Sequence, residues 1–152
     1  MLGIHHHYRE IRMADDLTQR VADELEIRNL VARLAQLADE GDLDEYIQCF
    51  TEDAGWDGGA VLGTVKGRAE ILAAAQQRRA GGTSGPGTNT RHVITTSTVE
   101  VSGNSATGRA VFHYYTDTHA TPTLAMMGVY EDRFSRTDSG WCMAQRKVIS
   151  GG

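Results

Sequence analysis

Asp39 and His92 are the two residues of this sequence whose types and places could support proton transfer from carbon. His92 opens the strand-like run RHVIT, and histidine is the side chain that most readily takes up or releases a proton near neutral pH. Asp39 lies in the last turn of a predicted helix, where the helix dipole disfavours a carboxylate. A carboxylate in that position could orient a catalytic base, because it fixes the tautomer of a histidine to which it is hydrogen-bonded.

Both residues also have a purely structural interpretation. Asp39 begins the acidic turn DEGDLDE, where one more solvated charge is ordinary. His92 could be a hydrogen-bonded strand histidine that faces water. Their spacing in the sequence does not show that they touch. On the residues alone, the structural interpretation is favoured for both.

A later strand carries His113, Tyr114, Tyr115 and His119. Side chains alternate along a strand, so positions 113, 115, 117 and 119 share one face, and 112, 114 and 116 share the other. Which face lies inward stays open. The histidines fit no zinc-ligand spacing, and no serine lies in a nucleophile elbow.

Charged residues on the last two predicted strands have a structural explanation. Glu131, Asp132 and Arg133 follow one another on one strand, and Arg146 lies on the next. A structural ion pair with Arg146 is favoured over a catalytic role.

The composition indicates a soluble globular domain. The chain has 152 residues, of which 40% are apolar and 23% charged, enough for one domain with a core. The net charge of −5 argues against a nucleic-acid partner. No apolar run approaches the roughly 20 residues that cross a bilayer, and no secretory segment is evident, so we expect no membrane partner and a cytoplasmic location. Cys49 and Cys142 fit no metal or redox spacing and indicate buried thiols.

The first twelve residues, MLGIHHHYREIR, differ from the rest. Because Met13 begins the natural-looking start MADD, we expect residues 1–12 to be a tag or a disordered leader. Residues 13–152 are expected to form a single domain.

Three helices are predicted from apolar residues at spacings of three and four, at about 16–40, 42–50 and 67–80. Gly41 is expected to end the first helix in a left-handed conformation, and Asp42 with Glu45 to form a capping box on the second. Arg78 and Arg79 lie near the end of the third, where cations suit the dipole. The loop at 81–89, GGTSGPGTN, is either a plain surface loop or a lid over a pocket.

Strand-forming residues dominate the second half of the chain. The predicted strands lie near Trp56 and at about 62–66, 91–101, 107–119, 123–136 and 141–149. Helices followed by antiparallel strands predict an α+β fold in which a curved sheet packs on helices. The concave space between them would border the end of the first helix and the start of the first long strand, and small-molecule sites favour such places.

Several stretches together resemble the SnoaL-like branch of the NTF2-like superfamily, over about residues 23–148. In order they are ARLAQLADEGDLDEYIQCFTEDAGW, GxxxGRAEI, RHVIT, ATGRAVF and GVYEDRFSRTDSGWCMAQRKV. Relatives include scytalone dehydratase, bile-acid 7α-dehydratase, γ-hexachlorocyclohexane dehydrochlorinase, polyketide cyclases and ketosteroid isomerases. The small subunit of ring-hydroxylating dioxygenases shares the fold without catalysing.

The resemblance implies an NTF2-like, or cystatin-like, cone: a curved, mainly antiparallel sheet wrapped on about three N-terminal helices around an apolar pocket. The Asp–His pair of several relatives falls on Asp39 and His92, which shifts the balance to the functional interpretation. The tyrosine that dehydratases place one turn before the aspartate falls on Leu34. The second acid of bile-acid dehydratase falls near Tyr114, with His113 beside it.

The implied function is a cofactor-independent lyase or isomerase acting on a small hydrophobic cyclic substrate that is steroid-, polyketide- or aromatic-like. His92, oriented by Asp39, would remove a proton, and Tyr114 or His113 would protonate a leaving hydroxyl or stabilise an oxyanion. No metal and no cofactor is expected. The residues expected to contact substrate are Tyr46, Trp56, His113 and Met127.

The alternative is a non-catalytic ligand-binding or assembly module, such as a small subunit of a ring-hydroxylating dioxygenase. Relatives commonly pair through the open face of the sheet, so a homodimer is expected, with a trimer possible. An open apolar cavity with Asp39 and His92 within hydrogen-bond reach would favour the enzyme, and a filled cone would favour the module.

Overall fold

A computed structural model describes residues 2–151, with side chains described at 13–60 and 62–151. The elements are α1 (Leu2–Asp39), α2 (Leu43–Gln48), β1 (Phe50–Asp57), α3 (Gly59–Leu62), β2 (Thr64–Lys66), α4 (Arg68–Ala80), β3 (Arg91–Ser102), β4 (Ser105–Thr116), β5 (Thr123–Thr137) and β6 (Gly140–Ser150). The side chains of residues 1–12 lie outside the described part, so the tag or leader stays a prediction.

The strands form one sheet in the order β2-β1-β6-β5-β4-β3. Its neighbouring strands are antiparallel, except that β1 runs parallel to β6. The predicted α+β fold, with a mainly antiparallel sheet packed on N-terminal helices, is confirmed.

The core lies between the sheet and one face of each larger helix. Helix α1 contributes a stripe at spacings of three and four, α2 contributes two adjacent residues, and α4 contributes one face. Burying these apolar groups holds the helices against the sheet. The buried apolar residues of the helices, among those described, are Ile27, Val31, Leu34, Leu37, Tyr46, Ile47, Ile71 and Ala75.

The turn between α1 and α2 differs in two details from the prediction. Gly41 does not adopt a left-handed conformation. It is required for space instead, because a Cβ there would lie 2.4 Å from Cδ2 of Leu37. Asp42 caps α2 by accepting from the backbone N–H of Asp44 at 2.6 Å, whereas Glu45 pairs with Arg33 at 3.0 Å and does not complete a capping box.

The structure also differs from the prediction at the start of β1 and in the segment between β1 and β2. Phe50, which was predicted to end the second helix, opens β1 and is 1% exposed. The short helix α3 was not predicted at all. It is flanked by Gly58 and Gly63, and it includes Leu62, so the strand predicted at about 62–66 begins only at Thr64.

A polar cluster fixes α1 to the β5–β6 hairpin. Asp23 is 4% exposed and accepts from Arg136 and from Nε1 of Trp141. The hydrogen bond from Arg136 is the main reason that the pKa of Asp23 is lowered. One turn further along α1, Glu26 accepts from the backbone N–H of Trp141 at 2.8 Å. The contribution of the ionised Asp23 to stability is therefore present above its ordinary pKa and is lost as the pH falls through the lower folded value.

Candidate functional site

A cavity of about 260 Å³ lies between the helices and the concave face of the sheet. Side chains from the four helices, from five of the six strands and from the loop after α4 enclose it. Its apolar wall comprises Leu34, Ala35, Ala38, Trp56, Leu62, Phe112, Met126 and Val148. Its polar groups belong to Tyr46, Arg78, Thr83, Ser84, His92, Tyr114, Tyr130 and Arg146.

Asp39 and His92 form a doubly hydrogen-bonded pair at the edge of this cavity. Nδ1 of His92 lies 2.6 Å from Oδ1 of Asp39, and the backbone N–H of His92 donates to Oδ2 at 2.7 Å. The side chain of Asp39 is 1% exposed and that of His92 21%. Because Asp39 occupies Nδ1, Nε2 is the ring nitrogen left for a substrate. This is the geometry of a base whose tautomer is fixed by a carboxylate.

Arg79 explains how a carboxylate can end α1. Its guanidinium donates to the backbone carbonyls of Leu37 at 3.0 Å and of Gly41 at 2.6 Å. A cation at a helix C-terminus offsets the partial negative charge of the unpaired carbonyls there. Arg79 thus stabilises the turn that carries Asp39, although it belongs to α4.

Tyr114 stands beside His92 on the neighbouring strand. The two residues are cross-strand partners, and their ring centroids lie 4.9 Å apart. The Tyr114 hydroxyl donates to the backbone carbonyl of Thr83 at 2.5 Å, and burial raises its pKa. Tyr114 therefore ties the loop after α4 to the sheet, and this loop supplies Thr83 and the buried Ser84 to the cavity wall.

The family follows from a match over most of the chain. A family model described as a SnoaL-like domain matches residues 19–147. The chain belongs to the SnoaL-like domain family. The resemblance predicted from its sequence is confirmed.

Solved structures share the fold of this SnoaL-like domain. An NTF2-like protein with a cystatin-like fold from Novosphingobium aromaticivorans is 26% identical with a TM-score of 0.74, over 91% of this chain and 86% of that one. A protein of unknown function from Mycobacterium tuberculosis is also 26% identical with a TM-score of 0.74, over 91% and 75%. No curated protein sequence matches.

A third structure, described as the β subunit of an aromatic-ring-hydroxylating dioxygenase from Novosphingobium aromaticivorans, is 17% identical. Its TM-score is 0.70 over 89% of this chain and 92% of that one. At this identity the likeness shows the fold alone.

The SnoaL-like domain brings some of the residues predicted from its sequence together and separates others. Tyr46 and Trp56 line the cavity along with His92 and Tyr114. His113 and Met127 do not, which corrects their expected place in the pocket. They are cross-strand partners, and their direct neighbours on β4 and β5, Tyr114 and Met126, point into the cavity. Because side chains alternate along a strand, His113 and Met127 project from the opposite face of the sheet.

The sequence did not indicate three polar residues of the cavity, namely Arg78, Tyr130 and Arg146. A structural ion pair of Arg146 with the charged run at 131–133 was predicted, and Asp132 forms it, with two hydrogen bonds of 2.8 and 2.7 Å. The guanidinium of Arg146 also lies 3.8 Å from the ring centroid of Tyr130, whose pKa burial raises to about 12. Charged residues on two neighbouring predicted strands indicated an ion pair, but nothing in the sequence showed that the pair borders a cavity.

Neither a metal-ligand cluster nor a membrane-spanning helix is found in the described part of this SnoaL-like domain. No three histidine, cysteine, aspartate or glutamate side chains in it are grouped as ligands for a metal ion. Its helices do not include one with the length and apolar character needed to cross a bilayer.

Replacing Tyr114 by phenylalanine tests its predicted role as a proton donor. Because its proton is already donated to the carbonyl of Thr83, we expect the rate of any proton transfer at His92 to fall by less than about tenfold. Loss of a general acid would lower that rate by about 10²–10⁴. Amide hydrogen exchange in the loop at 81–90 should become faster, because about 1 kcal/mol of hydrogen bonding is removed. Loss of turnover by more than about 10² with unchanged loop exchange would instead assign Tyr114 as the acid.

Proposed function

We propose that this SnoaL-like domain is a cofactor-independent lyase or isomerase that removes a proton from carbon in a small hydrophobic cyclic substrate. The observation that supports this most strongly is the Asp39–His92 pair, in which Nε2 makes no hydrogen bond with any described residue and borders an open, largely apolar cavity. A histidine that was only structural would have no need of both a buried carboxylate and access to a cavity.

In the proposed reaction, Nε2 of His92 takes a proton from a carbon next to an activating group such as a carbonyl. The electron pair of the broken C–H bond passes into that group. Asp39 stabilises the imidazolium that forms, as a buried carboxylate does for a histidine base. Return of the proton to another carbon gives isomerisation. Departure of a β-hydroxyl, protonated as water, gives dehydration.

The cavity supports a compact substrate. Its volume of about 260 Å³ lies just below the range of about 300–1,000 Å³ that is typical of small-molecule sites. The ring of Phe112, which stacks on Tyr130 with the centroids 4.2 Å apart, and the indole of Trp56 line the cavity as flat apolar groups. We therefore propose a molecule of a few fused rings, of the polyketide or aromatic kind, held by ring contacts and dispersion.

Proton exchange tests this proposal without knowledge of the natural substrate. The purified protein is incubated in D₂O with a panel of cyclic ketones and β-hydroxy ketones, and deuterium incorporation is followed by mass spectrometry. We expect the wild type to accelerate exchange at the α-carbon of at least one compound. The His92→Ala variant should lose about 10²–10⁴ of that acceleration, whereas the His119→Ala variant, which removes an exposed histidine, should retain it.

Wild-type exchange in both His92→Ala and Asp39→Ala would refute the assignment of the base. Absence of exchange with every member of the panel would favour the non-catalytic module.

The second candidate, an assembly module, is supported by the face of the sheet away from the cavity. Val93, Leu124 and Met127 are 39%, 49% and 51% exposed, and Val93 and Met127 both pair with His113 across β4. Exposed apolar side chains in one place suit contact with another chain.

We propose that the protein is cytoplasmic and forms a homodimer through this face, which sedimentation equilibrium would test. A monomer at micromolar concentration would contradict the homodimer.

A further inference from the structure

The charges of the cavity differ in sign from those of the whole chain. The chain carries a net charge of −5. Among the described residues that line the cavity are two arginines, Arg78 and Arg146, and no aspartate or glutamate. The charged groups that can meet a bound molecule directly are therefore guanidiniums.

These two guanidiniums are not equivalent. Arg146 is 7% exposed and makes two hydrogen bonds with the carboxylate of Asp132, so its charge is neutralised within the protein. Arg78 has no such partner. Within residues 13–60 and 62–151, no carboxylate oxygen lies within 4.0 Å of its nitrogens.

Arg78 is held in place by an aromatic ring. Its Cζ lies 5.0 Å from the ring centroid of Trp56, within the range of a cation–π contact. Such a contact fixes the guanidinium plane but uses none of its five N–H donors, so the donors that are not directed at the hydroxyl of Tyr46 stay available to a planar acceptor. Trp56 and Arg78 both line the cavity.

Favourable interaction with the end of its own helix does not explain this placement. Arg78 lies in the last turn of α4, with Arg79 beside it. Arg79 donates to backbone carbonyls at the end of α1. Arg78 extends from α4 to the indole of Trp56 and the cavity. A partly buried charge beside apolar walls is costly unless an anion meets it.

A hydroxyl group lies next to the same guanidinium. Tyr46 is 6% exposed and lines the cavity. Burial raises the pKa of its hydroxyl, and the nearby charges of Arg78 and Arg146 act in the opposite direction. The Tyr46 hydroxyl therefore keeps its proton at neutral pH and can donate it in a hydrogen bond to an anionic oxygen near Arg78.

We propose that the ligand of this cavity is a compact cyclic carboxylic acid, whose carboxylate is bound by the guanidinium of Arg78 and the hydroxyl of Tyr46. Its rings then lie against Trp56 and the apolar wall. Arg78 is on α4 and His92 on β3, so the carboxylate and the reacting carbon are held by different walls of the cavity, which orients the C–H bond toward Nε2. The second half of this inference depends on the proposed function, whereas the anion site does not.

A matched pair of probes tests the anion site directly. The binding of 2-naphthoate and 2-naphthamide, which share shape but differ in charge, is measured by isothermal titration calorimetry. We expect the wild type to bind the carboxylate at least about tenfold more tightly than the amide, which corresponds to about 1.4 kcal/mol. The Arg78→Gln variant should bind the two equally, and Arg78→Lys should recover part of the preference, because lysine keeps the charge without the planar fork.

The matched control removes the same charge elsewhere. Arg20 lies on α1 and its side chain is 66% exposed, so Arg20→Gln should keep the full preference. Equal binding of the two probes by the wild type would overturn the proposal, as would a preference that persists in a folded Arg78→Gln variant. Binding of neither probe at about 10 mM, well above the Kd expected of even a weak site, would overturn it too.

The same assay separates this inference from the proposed function. In His92→Ala we expect the carboxylate preference to remain, because His92 takes no part in anion binding. If His92→Ala keeps wild-type proton exchange while Arg78→Gln loses the preference, the anion site stands and the proposed reaction fails. If the wild type shows no preference while His92→Ala loses exchange, the reaction stands and the anion site fails.

Discussion

Replacing Asp39 by asparagine is expected to lower the rate of substrate proton exchange by a factor of about 10²–10⁴. The binding of 2-naphthoate should stay unchanged. The amide has nearly the same shape, but it carries no charge to stabilise a protonated His92. Its NH₂ group would also face either Nδ1 or the backbone N–H of His92, and both now point at carboxylate oxygens. Because Asp39 is 3% exposed and is not part of the cavity lining, the loss should fall on turnover and not on affinity.

Glu40 provides a matched control for Asp39. It is the next residue along the chain, and its exposed side chain pairs with Arg91 at 2.9 Å. Glu40→Gln removes one negative charge from the same turn and should leave the exchange rate unchanged. The double variant Asp39→Asn/His92→Ala should be no slower than His92→Ala alone, because the two residues act as one unit.

A different pattern would restore the structural interpretation of Asp39. If Asp39→Asn lowered the melting temperature and kept the wild-type exchange rate, the carboxylate would serve only to join α1 to β3. Additive losses in the double variant would show that Asp39 acts on exchange by a route that does not involve His92.

The sequence alone indicates that Asp39 is an unusual residue for a helix end, but it does not identify the residues that Asp39 contacts. A carboxylate at a helix C-terminus conflicts with the dipole, and that conflict is visible in the residues. Its resolution depends on Arg79 and His92, which lie 40 and 53 positions further along the chain. Contacts over such distances are decided by how α4 and β3 pack on α1, so only the family resemblance pointed to the pair before the structure.

The two faces of β4 show a different limit. Alternation divides its residues into two sets with certainty, but it does not say which set faces the helices. The structure places Tyr114 inward and His113 outward. The same ambiguity led to Met127, where Met126 lines the cavity. A shift of one residue exchanges the faces of a strand, and a register irregularity between Tyr114 and Tyr115 makes such a shift hard to foresee.

Arg78 and Arg79 show why helix-end rules identify a residue without giving its function. Both were expected to interact with the dipole at the end of α4. Instead, Arg79 donates to the end of α1 and Arg78 lies over Trp56. Long side chains near a helix end reach several neighbouring elements, so their partners depend on tertiary packing. The anion site could therefore be inferred only from the structure.

Replacing Asp132 by alanine is expected to reduce the free energy of unfolding by about 3–5 kcal/mol. Asp132 and Arg146 are 3% and 7% exposed. Burial by itself disfavours the charged form of Arg146, but the charge and hydrogen bonds of Asp132 outweigh it, so the pKa of Arg146 is raised. Without Asp132 the guanidinium would be left buried against Tyr130 with no counter-charge. Since domains of this size are stable by only about 5–15 kcal/mol, urea unfolding should show a much lower midpoint.

Glu131→Ala is the matched control, because Glu131 is the exposed neighbour of Asp132 on β5 and its removal should change the midpoint little.

The double variant Asp132→Leu/Arg146→Met distinguishes the cost of an unpaired buried charge from the contribution of the ion pair to stability. Replacing both members of a buried ion pair by apolar residues is often neutral, so we expect the double variant to regain most of the stability lost in Asp132→Ala. If the double variant were as unstable as Asp132→Ala, the pair itself would stabilise the fold. A loss below about 1 kcal/mol in Asp132→Ala would mean that the guanidinium reaches solvent through the cavity.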